Sequence, residues 1–395
     1  MESGSLEKKV ANIIQLSLWG RGTAEADPET YEELKKQAVS ALPAAVLGKL
    51  KIPDELRRDW QNEVYQQIFY NKQIRYEQSR LPITVPYIIL KGTAAAQYYP
   101  HPEYRTMGDI DIFLCREDYG TACGMLLDSD YSEFVPRDVR ETVRHRIFTK
   151  NGITIEVHSY YAIKNDPVSA KFLDDTILGS INGSHVLPDR VNGLVLLEHI
   201  SQHFEEGLGL RQIIDWMMFV DKCLPDEEWE EFKKLTDQAG LTRLAVVVTR
   251  MCEIYLGLPE RRWCAGAEEK TCDKVMDYLF SCGNFGKKRS YDEFHTEKYF
   301  SKMRSLRSAF VLLQQHGQFN WEKSRKYPFL KPFAWLYQIV YYLKRTRARK
   351  VPFGKIIREY GVSRERNALF DELEVVQESK GYIVYKDGKY IKEQE

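Results

Sequence analysis

The chain has 395 residues, which is enough for two or three domains. Its 57 Lys and Arg balance its 57 Asp and Glu, which argues against a protein built as a whole to coat nucleic acid or anionic lipid. Seven irregularly spaced cysteines without a CxxC pair argue against a disulfide framework and a cysteine zinc site.

No window has the apolar core of a signal peptide or the length of a membrane span. With thiols that we expect to stay reduced, this predicts a cytoplasmic protein without a transmembrane segment.

The first 80 residues predict helices, because apolar residues recur with a spacing near 3.6 from Val10 to Leu16 and the pattern continues over 31–47 and 56–79. After Pro82 the pattern changes. The apolar run 87–90 is typical of a buried strand. A Gly-Thr turn, a short helix, a second buried strand over 109–114 and a helix over 118–127 follow it.

Asn151-Gly152 lies between two strand-like segments, 144–149 and 153–160, and predicts a type I′ hairpin. Helical periodicity returns after residue 190, and a last hairpin is predicted around Lys386-Asp387-Gly388. We therefore predict an α+β fold with four parts: an N-terminal helical region over 1–82, a mixed-sheet core over 83–188, a helical domain over 189–320, and a basic, aromatic-rich region with a terminal hairpin over 321–395.

Three carboxylates carry the strongest chemical signal. Asp109 and Asp111 are two residues apart, so on a strand they share one side while Ile110 and Ile112 share the other. Two aspartates on one face repel each other, and they make sense when a divalent cation lies between them. Glu156 alternates in the same way on the later strand. If the strands are neighbours, it completes a three-carboxylate site that can hold two cations.

Basic and small residues around this pair suggest phosphate contacts. Gly92 and Thr93 lie at a strand-to-helix turn, which suits a phosphate. Lys91 either contacts phosphate or ends the strand. Arg105 either binds a triphosphate or pairs with Asp109 or Asp111.

These residues resemble the polymerase-beta-like nucleotidyltransferase superfamily, in which a strand and a Gly-Ser-like turn precede Asp-hydrophobic-Asp/Glu and a later third carboxylate. More closely, they resemble an uncharacterised bacterial nucleotidyltransferase family over roughly residues 80–220. The matching features are the Leu90-Lys91-Gly92 turn, Tyr99-Pro100, Arg105, Asp109-Ile110-Asp111, Glu156-Val157-His158, and a following helical part with His199, Arg211 and Asp215.

The resemblance implies an enzyme that uses Mg²⁺, with Mn²⁺ as an alternative, to move a nucleoside monophosphate from an NTP, expected to be ATP, to an unknown hydroxyl-bearing acceptor. Asp109, Asp111 and Glu156 are then the catalytic and metal-binding residues. The nucleotide-binding residues are Lys91, Gly92, Thr93 and Arg105, and the candidate cleft residues are His158, His199, Arg211 and Asp215. Two alternatives stay open: a catalytically silent nucleotide-binding or interaction module on this scaffold, and a nucleotidyltransferase acting on RNA ends.

Two pairs in the helical part have structural interpretations beside their functional ones. His199 and His203 have a zinc-compatible spacing, but without HExxH or nearby cysteines they predict packing or substrate lining. Arg211 and Asp215 predict a surface ion pair, or a pair that shapes the cleft.

Residues 323–358 contain eleven Lys and Arg with interleaved aromatic residues and no Asp or Glu. This composition favours an anionic partner, either nucleic acid or lipid headgroups. The alternative is a packed helix neutralised by acidic residues such as Asp371 to Glu374. With zero net charge, we expect internal pairing, which makes a nucleic acid partner unlikely.

Overall fold

The computed structural model describes residues 5–134, 144–288, 300–348, 353–377, 380, 383–386 and 388–392. The chain forms two compact units. The first contains residues Met1–Lys288 and Leu373–Glu395, and the second contains Arg289–Glu372. The four-part division expected from sequence stays a prediction.

Eleven α-helices are described in the first unit, and local sequence explains several of their ends. Ser5 caps the first helix by accepting a hydrogen bond from the Lys8 amide, and Gly20 ends it in the left-handed conformation. The helices are Leu6–Trp19 (α1), Pro28–Lys36 (α2), Asp54–Gln78 (α3), Gly92–Ala96 (α4), Arg116–Asp128 (α5), Pro167–Leu178 (α6), Asp189–His203 (α7), Leu210–Cys223 (α8), Trp229–Gln238 (α9), Thr242–Met251 (α10) and Glu269–Cys282 (α11).

The predicted helical stretch over 31–47 is interrupted. Helix α2 ends at Lys36, and Ala38 adopts a positive φ of 56°. The chain then continues as a 3₁₀ helix over Leu42–Lys49, which has a proline at its start. The apolar spacing therefore predicts the helical character of this stretch correctly. It does not predict the break between Lys36 and Leu42 that divides it into two helices.

The first unit contains one mixed five-stranded sheet, which confirms the predicted α+β class. Its strands are Tyr87–Leu90 (β1), Ile110–Leu114 (β2), Ser132–Phe134 (β3), His145–Lys150 (β4) and Ile153–His158 (β5). They lie in the order β1-β2-β5-β4-β3. Strands β2 and β5 are parallel, and the other neighbours are antiparallel.

Alternation along β2 and β5 divides the sheet into an apolar and a polar face. On the apolar face, Ile110, Ile112, Ile155 and Val157 pack with residues of α3 and α5 in a buried core. Asp111, Glu156 and His158 belong to the other face. The predicted turn at Asn151-Gly152 is present, with φ of 51° and 77°, and joins β4 to β5.

The C-terminal hairpin, Ile383–Lys386 (β6) and Lys389–Lys392 (β7), belongs to the first unit. The Tyr390 hydroxyl donates to the buried Asp174 carboxylate at 2.6 Å, and the Ile383 amide donates to the Lys164 carbonyl at 2.9 Å. Asp387 of the predicted turn lies outside the described residues. These contacts fix the chain's last described segment to the body of the first unit.

The second unit is helical. Its helices are Leu306–Asn320 (α12), Glu322–Lys326 (α13), Ala334–Ala348 (α14) and Phe353–Glu372 (α15), with a 3₁₀ helix at Pro328–Phe333. No helix in the described part of the chain is long and apolar enough to cross a membrane. All seven cysteines are free thiols.

Candidate active site

The three predicted carboxylates meet on the polar face of the sheet. Asp111 and Glu156 are register partners on the parallel strands β2 and β5, and Asp109 immediately precedes β2. One oxygen from each of the three lies within 4.8 Å of the other two. This is the convergence that alternation along both strands predicts, and it concentrates negative charge at one point.

Two cationic or hydrogen-bonding groups hold Asp111. The Lys91 ammonium lies 2.7 Å from Asp111 Oδ1, and His158 Nε2 lies 2.9 Å from the same oxygen. Asp111 is 3 % exposed and His158 is 1 % exposed. Lys91 thus neutralises a carboxylate, which neither of its sequence interpretations included, and His158 lies inside the cluster.

The electrostatics differ among the three carboxylates. Burial and the neighbouring Asp111 carboxylate raise the pKa of Asp109 to about 6. Burial would also raise the pKa of Asp111, but the Lys91 charge and the His158 hydrogen bond outweigh it and lower that pKa. The pKa of Glu156 is lowered as well, because interactions with His158 outweigh its burial. Of the three carboxylates, Asp109 is therefore the one whose negative charge is least offset by neighbouring groups.

His145 adds a second ligand group that sequence reasoning missed. Its Nε2 lies 3.8 Å from Glu156 Oε2, and His158 Nε2 lies 3.5 Å from the same oxygen. Burial and the neighbouring His158 lower the pKa of His145 to about 4. The sequence feature that could have indicated His145 is the register of the predicted hairpin, which sets His145 opposite His158. Among the described residues, both groups with metal-ligating geometry contain Glu156, and neither contains His199 or His203.

The turn between β1 and α4 is backbone-strained at Lys91. Its φ is 52° and its ψ is −137°, a region that non-glycine residues rarely occupy. Gly92 follows with φ of 34°. The Thr93 hydroxyl donates to Gln78 Oε1 at 2.7 Å. The strain at Lys91 accompanies a side chain directed at Asp111, so the turn contributes a charge to the carboxylate cluster.

Arg105 forms the ion-pair alternative, but with a partner other than the two predicted. Its Nε and Nη2 donate to the two oxygens of Asp215 at 2.8 and 2.6 Å. The Tyr99 hydroxyl donates to the same carboxylate at 2.7 Å. Arg105 is 4 % exposed and Asp215 is fully buried. The predicted Arg211–Asp215 surface pair is therefore wrong, because Asp215 lies in the core and its partner comes from a loop 110 residues away.

Arg211, His199 and His203 form a second group of nitrogen-bearing side chains around the site. Arg211 interacts electrostatically with Asp109, and its Nε is buried without a hydrogen-bond partner among the residues that the structure describes. The rings of His199 and His203 meet edge to face at 4.6 Å. Burial, together with positive neighbours that include Lys91, lowers the pKa of both histidines. They are therefore uncharged near neutral pH.

Asn71 on α3 positions the loop before Asp109, and no sequence motif indicated it. Its side-chain amide donates to the carbonyls of Glu103 and Arg105, both at 2.9 Å, and its oxygen accepts from the Met107 amide at 3.2 Å. The Tyr70 hydroxyl donates to the Gly108 carbonyl at 3.0 Å. A helix far away in sequence thus fixes the approach to Asp109.

Comparison with known protein families identifies the family of this chain. A family model described as an uncharacterised nucleotidyltransferase matches residues 25–257, which is more than half of the 395-residue chain. No curated protein and no solved structure gives a significant match. The matched segment contains all three carboxylates, Lys91, Arg105 and the Arg211–Asp215 helix. The chain therefore belongs to this uncharacterised nucleotidyltransferase family, and it is an enzyme of the nucleotidyltransferase class.

Proposed function

We propose that the protein is a Mg²⁺-dependent enzyme that transfers a nucleoside monophosphate from ATP to a hydroxyl-bearing acceptor and releases pyrophosphate. The observation that carries this proposal is the group of three carboxylates, Asp109, Asp111 and Glu156, within 4.8 Å inside the family's matched segment. We also assign the chain to the polymerase-beta-like superfamily, because its Gly turn, Asp-x-Asp strand and third carboxylate follow in that order.

The donor set fits a hard divalent cation. Mg²⁺ prefers oxygen ligands and keeps positions for substrate phosphates, and this face of the sheet offers three carboxylates. Mn²⁺ also suits carboxylate ligands and is the alternative cation in this proposal, while His145 and His158 beside Glu156 would favour ions such as Zn²⁺. When bound, the cation would offset the repulsion between the carboxylates and the triphosphate.

Cationic and hydrogen-bonding residues near the carboxylates would bind the triphosphate. The Arg211 guanidinium interacts electrostatically with Asp109, and the neutral His199 and His203 interact with Lys91, so all three are candidate donors to the triphosphate. When a cation binds and neutralises Asp111, the Lys91 ammonium would be free to leave that carboxylate and pair with a phosphate oxygen instead. The turn at Gly92 and Thr93 supplies further phosphate contacts in this proposal.

The reaction balances without a further co-reactant. The acceptor oxygen attacks the α-phosphorus, a new P–O bond forms, and the bond to the bridging oxygen of the β-phosphate breaks. We assign the acceptor's proton to Glu156, whose side chain is 22 % exposed against 3 % for Asp111. Positioning and charge stabilisation supply most of the rate enhancement. This chemistry is compatible with the expected cytoplasmic location, which stays a prediction.

Transfer of label from α-phosphate-labelled ATP tests the proposal, using a pool of extracted small molecules and proteins as acceptors. We expect labelled product and released pyrophosphate with Mg²⁺, and neither with Asp111→Asn. Asp175→Asn is the matched control, because that aspartate is exposed in a local pair with Lys171. ATP binding without transfer or pyrophosphate release would instead favour the silent nucleotide-binding module. Transfer confined to RNA ends would favour the RNA-end enzyme.

A further inference from the structure

Helix α14 of the second unit has one face packed against α12. Their backbones approach so closely at Gly317 that a Cβ on this residue would lie 2.0 Å from the Ala334 carbonyl oxygen. Asn320 donates to Gln338 Oε1 at 3.0 Å, and Gln338 is 5 % exposed. Ala334 and Gln338 thus mark the inner face of α14.

The opposite face of α14 is apolar and exposed. Leu336, Val340 and Leu343 follow at spacings of four and three, so they form one stripe about half a turn from Ala334. They are 45, 50 and 53 % exposed, and Phe329 and Phe333 extend the exposed apolar surface at 72 and 55 %. We call these five residues the apolar stripe. Exposed apolar residues that share one side of a helix in this way indicate an interaction site.

Three exposed cations that have no carboxylate partner among the described residues accompany the apolar stripe. Lys331, Lys344 and Arg347 are exposed, and in the described part of the chain none of them pairs with a carboxylate. Asp371, which was expected to neutralise this segment, pairs with Arg304 at 2.9 Å. The side chains of Arg345, Arg349, Lys350 and Lys355 lie outside the described residues. Neutralisation of the whole segment by internal pairing therefore stays a prediction, while Lys331, Lys344 and Arg347 have no carboxylate partner among the described residues.

We propose that the apolar stripe, with Lys331, Lys344 and Arg347, docks on the surface of an anionic lipid bilayer. A helix with one apolar face and flanking cations lies in the interface plane, where apolar area and attraction to anionic headgroups add. This is an interfacial contact and requires no membrane-spanning helix.

The character of the exposed residues distinguishes lipid from other partners. Two residues of the apolar stripe, Phe329 and Phe333, carry rings, but Leu336, Val340 and Leu343 along the helix are aliphatic. An aliphatic side chain offers no ring on which a base can stack, and base stacking is a main contribution to single-strand binding. The aromatic side chains nearer the inner face are engaged: Tyr337 stacks on Trp321 at 5.0 Å, and Trp335 packs on Phe310. A second copy docking on the stripe would bring two sets of cations together. Charge complementarity therefore selects an anionic surface.

Co-sedimentation of the full chain with lipid vesicles tests the proposal. We expect binding to phosphatidylcholine vesicles that contain about a quarter phosphatidylglycerol, and little binding to pure phosphatidylcholine. Raising NaCl from about 0.1 to about 0.5 M should weaken the binding several-fold, because exposed charges are then screened. The failure of this experiment would leave the proposed catalytic function untouched, since no catalytic residue is involved.

Two variants separate the apolar from the electrostatic contribution. Leu336→Gln with Val340→Gln and Leu343→Gln should weaken vesicle binding by about tenfold or more. Lys331→Gln with Lys344→Gln and Arg347→Gln should remove the preference for anionic vesicles. The matched control changes three exposed apolar residues of the first unit, Phe69, Val168 and Val186, to Gln and should bind as the wild type does.

Circular dichroism checks that each variant is folded, and if the apolar variant is not, the charge variant decides. Equal vesicle binding by the wild type and both variants would overturn the proposal. It would also be overturned by tighter binding to single-stranded RNA than to anionic vesicles, or by a dimer in light scattering that the apolar variant abolishes.

Discussion

Two buried aspartates of the same unit, Asp111 and Asp215, have opposite electrostatic situations. Asp215 receives two hydrogen bonds from Arg105 and one from Tyr99, so its charge is fully matched. Asp111 has Lys91 and His158 as partners, but Asp109 and Glu156 lie close by and leave the cluster with excess negative charge. The charge of Asp215 is neutralised by its neighbours, so we call the Arg105–Asp215 pair the closed pair. The three carboxylates around Asp111 keep excess negative charge that attracts a cation, so we call them the open cluster.

This difference separates residues that hold the site together from residues that can bind a substrate. Burial and a negative charge are shared by both aspartates. The distinguishing feature is whether the neighbouring groups neutralise the charge. Arg105 and Asp215 were predicted as nucleotide-binding and cleft residues, and their mutual pairing favours a positioning role for both.

Breaking the closed pair should have the largest effect on stability. Asp215→Ala leaves the Arg105 guanidinium buried without its carboxylate, which costs about 3–5 kcal/mol. Thermal or urea unfolding measures this loss. Arg262→Met is the matched control: it removes an exposed pair with Asp226 and should cost about 1 kcal/mol or less. A loss no larger than that of the control would mean that the Arg105–Asp215 pair is not a structural element.

Removing Arg211, the cation beside the carboxylate cluster, should affect substrate binding more than folding. Arg211→Met should raise the KM for ATP about ten- to a hundredfold, because a hydrogen bond to a charged group contributes about 1.5–3 kcal/mol. Steady-state kinetics and a melting curve measure both effects. Arg190→Met, in an exposed pair with Glu228, serves as the control. An unchanged KM would remove Arg211 from the proposed phosphate site.

Relieving the open cluster should preserve or raise stability. Because the pKa of Asp109 is raised to about 6 from an ordinary value of 3.8, its ionised form is disfavoured in the folded protein. Asp109→Asn should therefore be as stable as the wild type or more so above about pH 6, and the difference should fade as the pH falls toward 4. Unfolding free energies across that range measure it. A variant less stable than the wild type at pH 7 would indicate a structural role for Asp109.

The smallest expected effect concerns His145. His145→Gln should weaken binding of Zn²⁺ several-fold more than binding of Mg²⁺, because imidazole suits Zn²⁺ while carboxylates suit Mg²⁺. The ratio of the two dissociation constants is the measurement, with His101→Gln as a control on an exposed histidine. An unchanged ratio would show that His145 does not contribute to the metal preference.

Local pattern predicted much of this site. Alternation placed Asp109, Asp111 and Glu156 on one face, and Asn151-Gly152 set the hairpin that delivers Glu156. Local sequence pattern could not predict contacts between segments that are distant in the chain. Asn71 reaches a loop more than 30 residues away, and Arg105 reaches Asp215 across 110 residues. The i, i+4 rule assumed that Arg211 and Asp215 lie on an exposed helix face, whereas Asp215 is buried in the core.

The most direct test of the central claim is a crystal structure of the protein with a nonhydrolysable ATP analogue and Mn²⁺. The account predicts an anomalous peak about 2.1–2.2 Å from oxygens of Asp109, Asp111 and Glu156, with the triphosphate reaching toward Arg211 and Lys91. Nucleotide bound elsewhere, or a metal ion that avoids these three carboxylates, would contradict it.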